Sequence, residues 1–537
     1  MGDAKKTLRI VILCVAMLVL GSLITRVSDM MRTPEVQIPQ GGWTKLQLVL
    51  SQIDQNYVDE VDRKGITEDI LPKLLEKLDP HSVYLPPKNL EEATEELQGN
   101  FDGIGITFNI PQDTAIVISV ISGGPSERAG LIPGDRILSV DGKAVAGVKI
   151  NQDSLVSKMR GVSGTKVKLE ILREKEVVDF EITRAKIPVN SIDVAYMIND
   201  TTGYMKLTKF TRTSYTEFRR HVAALLEQGM TKLIFDLQDN TGGYLDQALY
   251  ISNEFLPVGK MIVYMDGLHR KREEFKSTGE GICQDLDLMV LVNQNSASSS
   301  EIFAGAMQDN DRGVIIGRRS FGKGVVQEPI YFSDNSGIRL TVARFYTPSG
   351  RCIQKPYSSD SQEEYALDIY DRYLHGEMTS VDSIPKNDSL KYQTVSGRTV
   401  YGGGGITPDI FVPIDTVGVT DLLVKINRQA YTIKYSSLLA DKYRKQLRSI
   451  DDISELNSFL STLDLENGFL SYLKGNSVDV KLSDWEISKD IVLTQLRALV
   501  GRYSPLDDYA FYSILAELDN MLTVAVETPA DWLELQK

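Results

Sequence analysis

Between residues 188 and 415, short apolar runs alternate with amphipathic stretches, and this alternation constrains the fold of the 537-residue chain more than any other feature. The runs at 203–207, 232–237, 261–265, 288–292 and 313–316 have the length and apolarity of buried strands. Between them, 214–228, 246–255 and 301–308 carry apolar residues at helical spacing. Strands alternating with helices predict an α/β layer whose sheet is covered on both faces. At roughly 100–200 residues per domain the chain has room for three or four domains.

Residues 98–187 have a different texture. Short β-rich runs at 104–110, 115–121, 135–140, 166–172 and 176–182 are punctuated by Gly and Pro, with one amphipathic helix at 151–160. Asp102-Gly103-Ile104-Gly105-Ile106 opens this domain. Glycines let backbone amides converge on an anion, which makes a nest for a carboxylate. The strand after the glycines and a helix carrying Leu155, Val156 and Met159 would form a groove. An extended peptide can add there as a strand, with its terminal carboxylate at the glycines.

Helical periodicity occupies 43–97 and returns from 416 to 537, while 26–42 reads as a linker and 358–393 as a polar, acidic surface excursion. In segment 1–25, Lys5, Lys6 and Arg9 precede a charge-free apolar run over 10–24. That is the pattern of a membrane-targeting element. As a spanning helix the run is short, and Leu8 with a snorkelling Arg9 brings it near the limit. An uncleaved anchor is favoured over a cleaved signal, with the N-terminal positive charge on the cytoplasmic side and the rest across the membrane.

The net charge is −14 and no basic patch stands out, which argues against nucleic acid as a partner. Four His and three Cys occur without CxxC or HxxxH spacing, so no zinc site of the usual kinds is expected. Cys283 and Cys352 either pair in an oxidising compartment or stay as small buried residues.

Residues 290–327 carry the chemistry. A buried strand ends, a Ser-rich turn follows, and Ser298 with Glu301 makes the S-x-x-E capping box of a new helix. A serine at a helix N-terminus is also placed where developing negative charge is favoured, so it can serve as a nucleophile if a base exists. His81, His221, His269 and His375 all sit in ordinary contexts. Lys323, between Gly322 and Gly324, is the better base. A lysine is a base only when neutral, and burial lowers its pKa from about 10.4 by several units.

Two resemblances build on these readings. Residues 123–145, GGPSERAGLIPGDRILSVDGKAV, closely resemble the most recognisable stretch of PDZ domains. By that resemblance Gly103, Ile104, Gly105 and Ile106 form the carboxylate loop, and Leu155 and Met159 line the groove. NQNSASSSEIFAGAMQD followed by FGKGVVQ resembles the carboxyl-terminal processing, or tail-specific, proteases. LDPHSVYL, DLQDNTGG, YTPSGRCIQKP and GGGGITPDI agree with that family in order and spacing. The family sets a serine nucleophile and a lysine base 25 residues apart, the separation of Ser298 and Lys323. The resemblance implies Gln327 as the hydrogen-bond partner of the lysine. It implies Gly243, Gly242 and Ser299 as oxyanion-hole amides. Gln238 stands where the family commonly has Arg, a departure that removes the cation of any ion pair at that position.

The resulting expectation is a multidomain α+β chain. A crotonase/ClpP-like α/β protease core (188–415) holds an inserted PDZ domain, flanked by helical N- and C-terminal modules. It is expected to be a membrane-anchored, periplasmic serine endopeptidase without metal or organic cofactor. Its substrates are proteins with apolar C-termini, and a homodimer and an activating adaptor are further partners. The family also suggests that a bound tail aligns the dyad through the PDZ domain. The rivals are a PDZ scaffold on an inactive protease body and a crotonase-like acyl-transfer or hydration enzyme, which would need a phosphate-binding feature not found here.

Overall fold

The computed structural model describes residues 2–31, 42–110, 113–358 and 362–536. The chain divides into two compact units, Met1–Leu71 and Pro72–Lys537. In the first, Gly2–Met31 forms one 30-residue helix, and the helix Thr44–Asn56 buries no side chain. Among the described residues no helix is long and apolar enough to cross a membrane. The expected anchor therefore lacks structural support. At 1.5 Å per residue the charge-free run over 10–24 reaches only about 22 Å, against about 30 Å of hydrocarbon.

The second unit is built on a six-stranded sheet. Its order is Ile192–Met197, Thr202–Leu207, Lys232–Asp236, Asp287–Val292, Val314–Gly317 and Ile410–Phe411. The first pair is antiparallel and the others parallel. Lys232–Asp236 is buried along its whole length, as the apolar runs require of a sheet covered on both faces. One face packs Phe235, Val290 and Val292 against Phe218, Ile251 and Phe303 of the helices Ser214–Glu227, Leu245–Asn253 and Ser299–Asp309. The opposite face packs Ile234, Met289 and Leu291 against Met521, Leu522 and Ala525 of the late helix Asn520–Glu527. The C-terminal helices thus complete the core around this sheet. Burying each large apolar side chain stabilises the fold by about 1.5–3 kcal/mol before entropy is counted.

A second, antiparallel sheet stands beside this layer. It contains Val83–Leu85, Gly337–Tyr346, Met261–Gly267, Arg270–Lys276 and Val325–Tyr331. Val83–Leu85 precedes the β-rich domain in sequence yet pairs with Gly337–Tyr346, which follows it. The strands Asn100–Gly103 and Ala185–Pro188 pair with each other. The β-rich domain therefore leaves and re-enters the larger body at one place, as an insertion.

That inserted domain has a sheet of order Ile106–Asn109, Ala115–Val120, Arg136–Val140, Lys166–Arg173 and Glu176–Thr183. Its helix Gln152–Met159 is capped by Asn151, whose side-chain oxygen accepts from Ser154 N–H at 2.7 Å. Among the described residues Ile106–Asn109 is an edge strand, paired only with Ala115–Val120. The three cysteines are free.

Candidate active site

Asp287–Val292 runs in the buried sheet and delivers the chain to a turn before the helix Ser299–Asp309. Four serines crowd this turn, and their hydroxyls have different uses. Ser296 Oγ donates to the Leu237 carbonyl at 2.7 Å, Ser299 Oγ to Gly243 O at 3.0 Å, and Ser300 Oγ to Asn240 O at 2.8 Å. Ser298 alone of the four gives its hydroxyl to no backbone carbonyl among the described residues. Its backbone has φ 56° and ψ −114°. A non-glycine residue pays about 1–3 kcal/mol for such a conformation, and it is the geometry by which a strand–turn–helix elbow lifts a nucleophile off the sheet. The sequence pattern of strand, small residues and helix carries this signal, but only the dihedrals expose the strain.

Gly242 presses on the elbow, and Gly243 on the backbone of Phe210. A Cβ on Gly242 would lie 2.8 Å from Ala297 O and from Ser298 Cβ, at φ 99°. A Cβ on Gly243 would lie 2.0 Å from Phe210 O. Among the described residues, the Gly243 and Ser299 amides have no acceptor, so both are available to an oxyanion beside Ser298. Gly242 is different: its N–H is bonded to Asn240 Oδ1 at 2.9 Å, so its place in the oxyanion hole is corrected to a close-packing role.

Lys323 sits on the loop that leads into the strand Val325–Tyr331. Its ammonium donates to Gln327 Oε1 at 2.8 Å, and Gln327 Nε2 donates to the His81 carbonyl. Burial pulls the Lys323 pKa below the ordinary lysine value, and the Arg339 charge adds to this. Glu301 and Asp79 act in the opposite direction and do not cancel it. Lys206 is the contrasting case. Burial there is overcome by the charge and 2.9 Å hydrogen bond of Asp236, so its pKa is raised and it stays an ammonium.

Glu301 joins the two halves of the site. Oε2 accepts from Ser298 N–H at 2.9 Å and from Lys323 N–H at 2.8 Å. Oε1 accepts from Gly322 N–H at 2.7 Å and from Ser320 Oγ at 2.5 Å. The capping-box glutamate expected from sequence is thus also the clamp on the lysine loop. No hydrogen bond joins the Ser298 hydroxyl to the Lys323 ammonium in this structure.

Residues 79–82 brace the lysine from behind. Asp79, 5% exposed, accepts from His81 N–H at 2.8 Å, Ser82 N–H at 2.7 Å and Ser82 Oγ at 2.6 Å. It also takes Thr341 Oγ1 at 3.1 Å. The sequence sets His81 aside as a base because its context is ordinary. Its backbone carbonyl is what meets the site.

Gln238 bonds Asp519 Oδ2 at 3.0 Å, so a neutral amide ties the glycine loop to the C-terminal helices in place of an ion pair. In the inserted domain, Gly103, Ile104 and Gly105 are buried at the start of the edge strand, with Gly105 at φ 74°. Ile106 is partly buried on that strand. Leu155 and Met159 are 0% and 5% exposed and belong to the domain core. Their expected role as groove lining is corrected: the helix turns them inward and leaves Val156 partly exposed. Among the described residues no group of three or more His, Cys, Asp or Glu is placed to hold a metal ion.

The fold and site define a serine-peptidase layer carrying an inserted PDZ domain. The family model of peptidase family S41 matches residues 201–360, and that of the PDZ domain matches residues 103–183. The carboxy-terminal-processing protease of Bartonella bacilliformis is 34% identical over 312 residues, 57% of this chain and 71% of that protein. The probable CtpA-like serine protease of Staphylococcus aureus (strain N315) is 32% identical over 317 residues, 58% of this chain; the chain spans 63% of that protein's length. A solved structure, the photosystem II D1 C-terminal processing protease, aligns with 25% identity and a TM-score of 0.37, over 71% of this chain and 89% of its own. The chain belongs to the S41 family of carboxy-terminal-processing proteases, which are serine peptidases.

Proposed function

We propose that this chain is a serine endopeptidase that cleaves extracytoplasmic proteins with a Ser298–Lys323 dyad, selecting them by apolar C-terminal tails bound to the PDZ domain. The observation that carries the reading is the single buried carboxylate, Glu301, that holds the strained Ser298 elbow and the Lys323 loop together. Burial favours the neutral amine of Lys323, which takes the Ser298 proton. The Ser298 alkoxide attacks the scissile carbonyl, and the Gly243 and Ser299 amides receive the oxyanion. The lysine then returns the proton to the leaving amine. Water, deprotonated by the same lysine, hydrolyses the acyl-enzyme. Ile106–Asn109, with its free edge, is the strand to which a substrate tail adds. The basic and apolar start of the chain is the element that targets it to the cell envelope.

The test compares the full chain with Ser298→Ala and Lys323→Ala. Each is incubated with one unfolded reporter that ends either in an apolar tail or in the same tail with a terminal Asp. Cleavage by the unsubstituted chain alone, faster for the apolar tail, is the expected result. Equal cleavage by all three proteins would remove the dyad. Cleavage without tail preference would remove the PDZ role. Tail binding without any cleavage would favour the inactive scaffold.

A further inference from the structure

The excursion expected at 358–393 contains the helix Gln362–Leu374, and it turns two side chains inward, Tyr365 at 8% and Arg372 at 5% exposed. Tyr365 lies outside the residues matched by either family model. Its hydroxyl is 2.8 Å from His81 Nε2 and 3.3 Å from Gln354 Nε2. Burial, followed by the Lys323 charge, lowers the His81 pKa to about 4, so the ring is neutral. Burial also raises the Tyr365 pKa, so the phenol keeps its proton. Tyr365 Oη therefore accepts from the Gln354 amide and is hydrogen-bonded to His81 Nε2.

Each of these partners reaches Lys323 from a different side. The His81 carbonyl accepts from Gln327 Nε2, and Gln327 Oε1 holds the lysine ammonium. Gln354 Oε1 accepts from Gly324 N–H at 2.8 Å, and Lys355 N–H donates to Gly322 O at 2.9 Å, so both neighbours of Lys323 are pinned. The Lys355 ammonium in turn donates to the Tyr365 carbonyl at 3.1 Å and to Asp368 at 2.9 Å. Arg372 donates to the carbonyls of Arg319 and Ser320 at 2.6 and 3.1 Å, just before the lysine loop.

We infer that Tyr365 is a positioning residue for Lys323, fixing through its hydroxyl the two groups, His81 and Gln354, that hold the lysine from either side. The inference rests on the dyad reading above. A lysine has a long, freely rotating stem, and Gln327 is the acceptor that aims its amine. A misplacement of about 1 Å at a reacting group costs on the order of 100-fold in rate. The charged and titratable groups that face Lys323 are Glu301, Asp79, Arg339 and His81. Removing the Tyr365 oxygen takes a hydrogen bond from His81 and none from Glu301, Asp79 or Arg339.

The test is Tyr365→Phe in the full chain. Phenylalanine keeps the ring against His81, Phe321 and the Lys355 ammonium and removes only the hydroxyl. Rates are measured on an unfolded reporter with an apolar C-terminus from about pH 6 to 10. They are normalised to the sites titrated by a fluorophosphonate, so misfolded protein does not count. The expected result is KM within about twofold and kcat lower by about tenfold or more. The rising limb of kcat/KM also moves to higher pH, because water reaching a loosened lysine restores its basicity. In a Gln327→Ala background the same substitution should cost no more than about threefold, since the principal path to the amine is already cut. An unmoved pH limb, or an equal loss in both backgrounds, overturns the inference. Lys323→Ala is run alongside: if it retains activity, the dyad reading falls and takes this inference with it.

Discussion

Ser298 and Lys323, 25 positions apart, share one acceptor: Glu301 Oε2 takes the backbone N–H of Ser298 at 2.9 Å and that of Lys323 at 2.8 Å. The proposed nucleophile and base are thus set relative to each other by main chain rather than by a bond between their side chains.

Glu301→Gln tests this relationship. Glutamine offers one oxygen where the carboxylate offers two. Its NH2 group would then face a pair of donors, either Ser298 and Lys323 N–H or Gly322 N–H and Ser320 Oγ. Leaving buried donors unmet costs about 1–3 kcal/mol. Denaturant unfolding should show a loss of that size, and kcat should fall on the order of 100-fold with KM little changed.

Lys323→Arg separates charge from basicity. Arginine keeps a cation but does not lose its proton in this pH range. Activity should fall on the order of 1000-fold at every pH, with no recovery at alkaline pH. In the unsubstituted chain, kcat/KM should rise with pH through a midpoint below the ordinary lysine value, because the folded site favours the neutral amine. A midpoint at or above about 10.4 would contradict the burial argument.

Gly242→Ala probes the glycine pair. The new Cβ would meet Ala297 O and Ser298 Cβ at 2.8 Å, in a left-handed backbone at φ 99°. A loss of about 1–3 kcal/mol is expected from strain and contact together, along with loss of fluorophosphonate labelling at Ser298. Gly142→Ala serves as the control, since it has a similar left-handed φ of 73° but nothing within 4 Å of its Cβ. It should lose stability and keep labelling.

Much of this was legible in the sequence, for physical reasons that also mark where legibility ended. Buried parallel strands carry an unbroken apolar centre, as Leu233, Ile234 and Phe235 do in Lys232–Asp236, and they stand where the alternation placed them. The strand Arg270–Lys276 escaped because its residues are mostly exposed and charged, so it carries no apolar period. Leu155 and Met159 were correctly placed on a helix, but periodicity alone does not say whether an apolar stripe faces a groove or a core. Gly242 matched the glycine signature, yet its amide is taken by Asn240, a contact within its own loop that spacing does not reveal. The helix Gln362–Leu374 looked like surface because it lies in the polar, acidic segment 358–393, while its inward residues Tyr365 and Arg372 carry polar tips that bond a ring nitrogen and buried carbonyls.

His81 contributes to the pH dependence of stability. Its folded pKa is lowered to about 4, by burial first and then by the Lys323 charge, against an ordinary value of 6.5. Between those values the unfolded chain binds a proton that the folded chain refuses. Stability from this group is therefore complete above about pH 6.5 and is lost as the pH falls toward 4. At 1.36 kcal/mol per pKa unit the loss is up to about 3 kcal/mol across the window. His81→Asn keeps the backbone carbonyl that holds Gln327, and its own side-chain oxygen can accept from Tyr365. Unfolding free energies of the two proteins, measured from pH 7.5 to 4, should therefore converge as the pH falls, the substituted chain losing less. Parallel curves would show that the folded chain binds the His81 proton as readily as the unfolded chain, so the ring is not held neutral.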